Sequence, residues 1–247
     1  MNYNPFTLSG KKILVTGASS GIGRSIAVEC SKMGANLIIT GRNQQRLEET
    51  LTLMDGNNHQ AIPADISNVE EIENLVRQLP TLDGIVLNAG IVITKPAKHI
   101  KETDIDEIFK VNIISSIQMI TSLFKNKKII SGSSIVFISS IATSKVKVGN
   151  SLYSATKGAV NSFAKVLALE NASKKIRVNI IQPGFIKTSI MDKGIITNQQ
   201  IDEYLKQYPL GLGNPNDISF AVIYLLSDAA KWVTGSVFTI DGGVTLR

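Results

Sequence analysis

The chain has 247 residues, 43% hydrophobic and 19% charged, with a formal net charge of +6. That length can bury a sizeable core, and no apolar run reaches the roughly 18 residues of a membrane span. A single cysteine, Cys30, excludes an internal disulfide or a cysteine metal site, and His59 and His99, far apart and outside any HExxH, give a metal no support.

Strand-like and helix-like segments alternate from end to end. "KKILVTG" is a buried-strand run, and "GIGRSIAVECSKMGA" carries Ile22, Ile26, Cys30 and Met33 at helical spacing, closed by Gly34. Cys30 on that stripe reads as a buried, inert thiol. "NLIITG" is the second strand, and Asn43 is the candidate cap of the helix "NQQRLEETLTLM". The short strand "QAIPAD" follows, then Ser67 as cap of "NVEEIENLVRQL", with Glu70 completing a capping box. "LDGIVLNAG" is a strand ending in a glycine turn, and "DIDEIFKVNIISSIQMITSLFK" reads as one long helix. The strand "GSSIVFISS", the long helix "SLYSATKGAVNSFAKVLALENA" and the strand "KIRVNIIQPG" come next. The helix "PNDISFAVIYLLSD", with Pro215 near its start, and the strand "GSVFTIDGG" end the series.

This alternation, with nearly continuous apolar strands, predicts an α/β fold: a Rossmann-type, doubly wound parallel sheet of about seven strands with helices on both faces. No linker, repeat or low-complexity tract divides residues 1–247, so one domain is the simplest count. Residues 188–213 break the rhythm and form a candidate substrate lid. Its Ile190, Met191, Ile195 and Ile196 either line an apolar pocket or pack as an ordinary loop helix. The segment "MNYNPFTLSGKK" has no basic region leading into an apolar core, so it is not expected to be a signal peptide, and a reducing cytoplasm suits the lone cysteine. The basic residues are scattered and no nucleic-acid module is present, so neither nucleic acid nor membrane is an expected partner.

Gly17, Gly21 and Gly23 sit at the first strand-to-helix turn. Unpaired N–H groups at a helix start carry partial positive charge, and missing side chains let backbone approach a pyrophosphate. A tight turn with close helix packing would ask for the same glycines. The spacing G-x-x-x-G-x-G is neither G-x-G-x-x-G nor a P-loop. After the second strand comes Gly41 and then Arg42, with no carboxylate to repel a 2′-phosphate. Arg42 is a planar partner for such a phosphate, or a solvated arginine at a helix start. Read locally, Asp65 is a turn aspartate.

Taken together, "TGASSGIG" at Thr16–Gly23, "NAG" at Asn88–Gly90, Asn112, "ISS" at Ile138–Ser140, "YSATK" at Tyr153–Lys157, "PGFIKT" at Pro183–Thr188 and "DGG" at Asp241–Gly243 resemble the single-domain short-chain dehydrogenase/reductases, in that family's order and over nearly the whole chain. The resemblance implies a nicotinamide cofactor, read from Gly41 and Arg42 as NADP(H) over NAD(H). It implies that Ser19, Ser20, Gly21, Ile22, Gly23, Arg42, Asp65, Ile66, Asn88, Ala89, Gly90, Pro183, Gly184, Ile186 and Thr188 bind it together with Gly17. Leu87 stands where many members have asparagine. Leu212, in "PLGLGNP", stands where reductases of this style have arginine, which would alter the tether of the lid base.

Tyr153 and Lys157, four apart, share a helix face. A phenol has a pKa near 10; a nearby ammonium and the cofactor's positive nicotinamide would lower it, which suits an acid for ketone reduction or a base for alcohol oxidation. Ser140 lies thirteen residues earlier at a strand's C-terminal end, where such sheets gather their sites, and that spacing favours it over Ser139. By resemblance, Ser140 hydrogen-bonds the substrate oxygen, Tyr153 transfers the proton, Lys157 holds the nicotinamide ribose and tunes Tyr153, and Asn112 supports a water in the proton relay. Taken alone, Asn112 would be a polar residue on a helix surface.

The expected activity is hydride transfer between nicotinamide and a carbonyl or secondary alcohol. In style it is closest to the 3-oxoacyl-[acyl-carrier-protein] reductases, with sugars, polyols or cyclic ketones as alternative substrates and an idle dinucleotide-binding sensor as the alternative class. Lys127, Lys128, Lys145, Lys147, Lys174 and Lys175 are either solvated surface or a basic rim that steers an anionic or carrier-bound carbonyl, with an acyl carrier protein as possible partner. Ile113, Ile117, Ile120, Phe163 and Leu167 place apolar residues on more than one helical stripe. One stripe can face the sheet and another a partner, so a homotetramer is expected.

Overall fold

The structure, a computed structural model, describes residues 3–188 and 205–246. Seven strands form one sheet: β1 (Lys12–Thr16), β2 (Asn36–Gly41), β3 (Gln60–Pro63), β4 (Leu82–Leu87), β5 (Ile129–Ile138), β6 (Arg177–Pro183) and β7 (Val237–Ile240). Every pairing is parallel, in the order β3-β2-β1-β4-β5-β6-β7. Strand order reverses between β1 and β4. In sheets of this kind the crevice beyond the strand ends at that reversal is the ligand site.

Side chains alternate across each strand, so the apolar runs feed two cores. One face (Leu14, Ile38, Ile85, Phe137, Ile180) packs under α3 (Val69–Gln78), α5 (Ser115–Lys125) and α6 (Ser151–Asn171). The other (Ile13, Val15, Ile39, Val136, Ile181) packs under α1 (Gly21–Lys32), α2 (Gln44–Thr52) and α7 (Pro215–Leu226). Cys30 is buried in the second core, as its place on the stripe predicted, and burial pushes its thiol far above the ordinary range. Gly34 ends α1 with a φ of +86°, a conformation that favours glycine.

Three local expectations are corrected. Asn43 caps α2 as expected, its Oδ1 accepting from Arg46 N at 2.9 Å. Helix α3, however, is capped by Asn68 and not Ser67: Asn68 Oδ1 accepts from Glu70 N at 2.9 Å. Glu71, not Glu70, reaches back, to the backbone N–H of Asp65 at 2.7 Å. The single long helix is instead α4 (Glu102–Phe109), a π-helical turn over Lys110–Ile114, and α5. The π turn inserts one residue into the helical repeat, a device common at functional sites. The fifth strand begins three residues early, at Ile129, and shifts register between Leu82 and Gly84 of its neighbour.

The apolar stripes also differ from expectation. Ile113, Ile120 and Leu167 are core residues, and Phe163 packs edge-to-face on Phe137 with centroids 6.0 Å apart. The outward apolar residues of these helices are Ile117, together with Ile114 beside it and Val166 and Leu169 of α6. No helix among the described residues is long and apolar enough to cross a membrane.

Candidate active site

The turn after β1 is closed by polar side chains from its own strand and from β4. Thr16 Oγ1 accepts from the backbone N–H groups of Asn88 (3.0 Å) and Ala89 (3.2 Å). Asn88 Nδ2 donates to the carbonyls of Thr16 (3.1 Å) and Gly17 (3.3 Å). The approach leaves no room for side chains. A Cβ on Gly17 would lie 2.9 Å from Ala89 Cα, and one on Gly23 would lie 2.3 Å from Gly17 O. Packing alone therefore requires these two glycines. The same packing leaves the N-terminus of α1 bare. Ser20, in extended conformation at its start, makes no side-chain cap, and the first turn holds no acidic residue. Unpaired N–H groups at the head of a twelve-residue helix suit an anion such as a pyrophosphate.

Arg24 was not singled out by sequence reasoning. A cation in the first turn of a helix opposes the helix dipole, so its presence there was a usable signal. Its guanidinium donates to Ser19 O (2.8 Å), to Thr50 Oγ1 (3.0 Å) and to Glu49 Oε2 (3.0 Å), tying the glycine turn to α2. Thr16 and Thr50, whose Oγ1 donates to Ala18 O at 2.9 Å, are two further supports that were missed.

Of the other candidate cofactor residues, Thr188 reaches this turn, and Gly41, beside Arg42, lies against its Ser19. Ser19 sits beside Gly41, where a Cβ would be in ordinary contact with it at 3.5–3.6 Å. Arg42, next in the chain, is exposed and makes no hydrogen bond or ion pair among the described residues. Asp65 forms a turn, its Oδ1 accepting from Ser67 N at 2.9 Å, and Ile66 packs against the first core. Thr188 approaches Gly21 from the β6 side; a Cβ there would lie 3.3 Å from its methyl. Leu87 is simply core.

Beyond β5 and along α6 lies the second cluster. Ser139 is buried, its Oγ donating to Lys157 O at 3.3 Å, whereas Ser140 is half-buried with its side chain beside that of Tyr153. The structure thus pairs Ser140, and not Ser139, with the tyrosine. Lys157 is buried, donates to Ile138 O at 2.8 Å and holds its ammonium 5.8 Å from the centre of the Tyr153 ring. A Cβ on Gly90 would sit 3.5 Å from that ammonium and 3.2 Å from Asn112 Oδ1, so the β4 turn joins this cluster to the first. Asn112 is no surface residue. It lies in the π turn, 2% exposed, and grips Ile91 by accepting from its N–H (2.8 Å) and donating to its carbonyl (2.9 Å), with a third bond to Thr156 Oγ1.

Without a cofactor, burial sets the acid–base balance. Burial pushes the Tyr153 phenol above its ordinary value, and the hydrogen bond from Ser140 only partly offsets this. The phenol of the unliganded protein is therefore neutral, a proton donor. Burial lowers the Lys157 ammonium to about 8.

The lid base is held without an arginine. Ile186 and Gly213 form a parallel bridge, Lys187 N donates to Gly213 O at 2.8 Å, and Tyr208 Oη accepts from Phe185 N at 2.9 Å. Leu212 is buried with Ile141, Tyr208 and Val244. Of the expected lid, Ile190, Met191, Ile195 and Ile196 lie outside the described residues. The six lysines do not form one rim. Lys127 and Lys128 precede β5, and Lys174 and Lys175 precede β6, which puts them at the sheet edge opposite the site. Lys145 is on the site side, but its ammonium donates to Val244 O at 2.8 Å. No group of three or more metal-ligating side chains occurs among the described residues.

One prediction follows from the buried ammonium. Below about pH 8, Lys157 is charged in both folded and unfolded chains, and its burial penalty is fully present. Between about 8 and 10.5 the folded form loses its proton first, so stability rises with pH; the gap corresponds to about 3 kcal/mol. Urea unfolding of the unliganded protein should show the wild type gaining stability on Lys157→Met as pH rises from about 7 to 10. Parallel pH curves would contradict the buried charge.

Comparison with known proteins agrees with this geometry. The family described as enoyl-(acyl carrier protein) reductase matches residues 17–245. The 3-oxoacyl-[acyl-carrier-protein] reductase FabG of Rickettsia felis is 35% identical, with 97% of this chain and 98% of that protein covered. A Sinorhizobium meliloti structure named for a short-chain alcohol dehydrogenase superposes with a TM-score of 0.92 at 30% identity, over 99% of this chain and 100% of that one. An Agrobacterium tumefaciens structure named for 2-deoxy-D-gluconate 3-dehydrogenase, with bound NADP, superposes with a TM-score of 0.90 at 31% identity, over 99% and 100%. The chain belongs to the short-chain dehydrogenase/reductase family of oxidoreductases and is similar to its 3-oxoacyl-[acyl-carrier-protein] reductases.

Proposed function

We propose that this protein is an NADP(H)-dependent reductase of a carbonyl compound, with a 3-oxoacyl thioester on an acyl carrier protein as the first candidate substrate. The observation that carries the reading is the neutral Tyr153 phenol, with Ser140 beside it and the buried Lys157 ammonium 5.8 Å from its ring. When bound, the nicotinamide supplies the hydride. Tyr153 Oη donates the proton to the substrate oxygen, and Ser140 Oγ hydrogen-bonds that oxygen as negative charge develops on it. The Lys157 ammonium favours the phenolate left behind and is the group that would hold the nicotinamide ribose. Asn112 fixes the Ile91 backbone and, with the π turn, keeps the helix open to a relay water. The N-terminus of α1 with Ser19, Ser20, Gly21 and Ile22 would take the pyrophosphate, and Thr188 lies within reach of it. Asp65, Ile66 and the Asn88–Gly90 turn would flank adenosine, and Pro183, Gly184 and Ile186 the carboxamide.

The similarity to FabG of Rickettsia felis supports the acyl substrate, whereas the Agrobacterium protein's name points to a sugar acid. Assay of NADPH oxidation with a 3-oxoacyl thioester, a polyol-derived ketone and a cyclic ketone separates these. Tyr153→Phe should abolish turnover of whichever is used while NADPH still binds, and Ser140→Ala should lower kcat more than cofactor affinity. Full activity without the phenol would sink the reading, and absence of turnover on every carbonyl would favour a dinucleotide sensor.

Arg42 supports NADP(H): it is exposed, unpaired among the described residues, and stands where a carboxylate would repel the 2′-phosphate. A charge-assisted bond of this type contributes about 1.5–3 kcal/mol, roughly tenfold or more in affinity. Gly41 has room for a side chain, so Gly41→Asp with Arg42→Ala should turn preference toward NADH. Equal use of both cofactors by the wild type would contradict this assignment.

A homotetramer in the cytoplasm completes the proposal. Ile114, Ile117, Val166 and Leu169 offer one outward apolar face, and Phe220, the 96%-exposed Trp232 and Val237 of edge strand β7 a second. Only across such a subunit contact could Lys174 and Lys175 approach a site. A monomer by light scattering at micromolar concentration would refute the assembly.

A further inference from the structure

We propose that Gln182 is a positioning residue for the proton-donating pair, acting on Ser140 through Thr143. This rests on the roles proposed above for Ser140 and Tyr153. Gln182 is the penultimate residue of β6, buried, and directly precedes the Pro183–Gly184 turn. Its Nε2 lies 2.7 Å from Thr143 Oγ1, and its Oε1 lies 3.4 Å from Thr239 Oγ1 on β7. Thr143 Oγ1 in turn donates to the carbonyl of Ser140 at 3.1 Å. A line of three side chains thus runs from β7 through β6 to the backbone of the serine that touches Tyr153.

The direction of these bonds carries the argument. A threonine hydroxyl has one proton to give. The Ser140 carbonyl can only accept, so Thr143 spends its proton there and must receive one from its other neighbour. The Gln182 amide N–H₂ is that donor, and its oxygen is left to accept from Thr239. The Ser140 Oγ itself accepts from Ala142 N at 3.1 Å, so the single turn Ile141–Thr143 holds both the carbonyl and the hydroxyl of Ser140. Releasing Thr143 frees that turn, and a small displacement of a group that must meet a reacting oxygen lowers rate steeply.

Glutamate at this position separates positioning from packing, because it has nearly the shape of glutamine. Its carboxylate can only accept. It would draw the Thr143 proton toward itself and strip the Ser140 carbonyl of its shorter bond, leaving only the one from Thr143 N at 3.4 Å. Protonated, it can donate again. The test uses the intact protein with NADPH and ethyl acetoacetate or, if faster, another member of the carbonyl panel. Gln182→Leu should lower kcat roughly tenfold or more while the NADPH Kd, read by fluorescence, stays within about threefold. Gln182→Glu should be as impaired near pH 8, and its kcat relative to wild type at the same pH should recover as pH falls toward about 5.5. Thr143→Ser should keep wild-type kcat. Thr143→Val should match Gln182→Leu, and the double variant should be no worse than either. A Gln182→Glu ratio flat with pH, or Gln182→Leu with wild-type kcat, overturns the inference. If Tyr153→Phe is inactive in the same assay, that failure belongs to Gln182 alone; an active Tyr153→Phe removes the underlying reading first.

Discussion

Thr16 and Asn88 hold the ends of β1 and β4 together where strand order reverses, and the site depends on that closure. Their four hydrogen bonds draw two backbone turns into contact. That contact, and not a ligand, is what excludes a Cβ at Gly17 and Gly23. The proposed ligand property would follow as a consequence. Without a Cβ at Gly17 and Gly23 the turn opens backbone to the crevice, at the head of a helix with no side-chain cap. Tight packing and the proposed phosphate cradle would then be one arrangement. Arg24 and Thr50 fix the same turn from α2, so both sides of the crevice floor are anchored by polar side chains.

Much of this was legible in the sequence because it rests on period and spacing. The strands are buried on both faces, so their apolar runs announce a parallel sheet, and Asn43 and Gly34 mark helix ends by chemistry local to them. Where a choice depended on a distant partner, local reasoning failed. Ser67 and Asn68 are both competent caps; the choice goes with Glu71 turning back to the Asp65 N–H, a contact six residues long. The π turn left no mark, since one inserted residue only rotates the apolar stripe. Ile113 inside the turn and Ile120 beyond it are both buried. The lysine pairs were grouped with the site by their nearness to site-bearing helices in the chain, but a long helix carries its far end to the opposite edge of the sheet.

The two halves of the site are joined through β4. A Cβ on Gly90 would meet Asn112 and Lys157 and crowd the Asn112 amide, while Ala89 before it meets Gly17 of the glycine turn. Asn112 reaches Gly90's neighbour Ile91 only because the π turn brings its side chain inward from a helix that otherwise packs on α3 and the sheet. A regular helix over the same residues would carry one residue fewer per π turn and set Asn112 on a different bearing. The bulge and the asparagine are therefore a single feature.

Lys157 then has a physical reason to be where it is. Its ammonium is buried with one backbone carbonyl and one aromatic ring as partners, and no carboxylate among the described residues pairs with it. An unpaired buried cation destabilises a fold. A methionine of similar length would pack there at less cost, so stability does not account for the lysine. In the reaction proposed above, the charge would act on Tyr153. The phenol is held neutral by its own burial, and the change that most favours losing its proton is positive charge close by in a low-dielectric setting. With the ammonium 5.8 Å from the ring, the proposed reaction would begin from a phenol that holds its proton at rest, and the charge would ease that proton's departure to an arriving substrate oxygen.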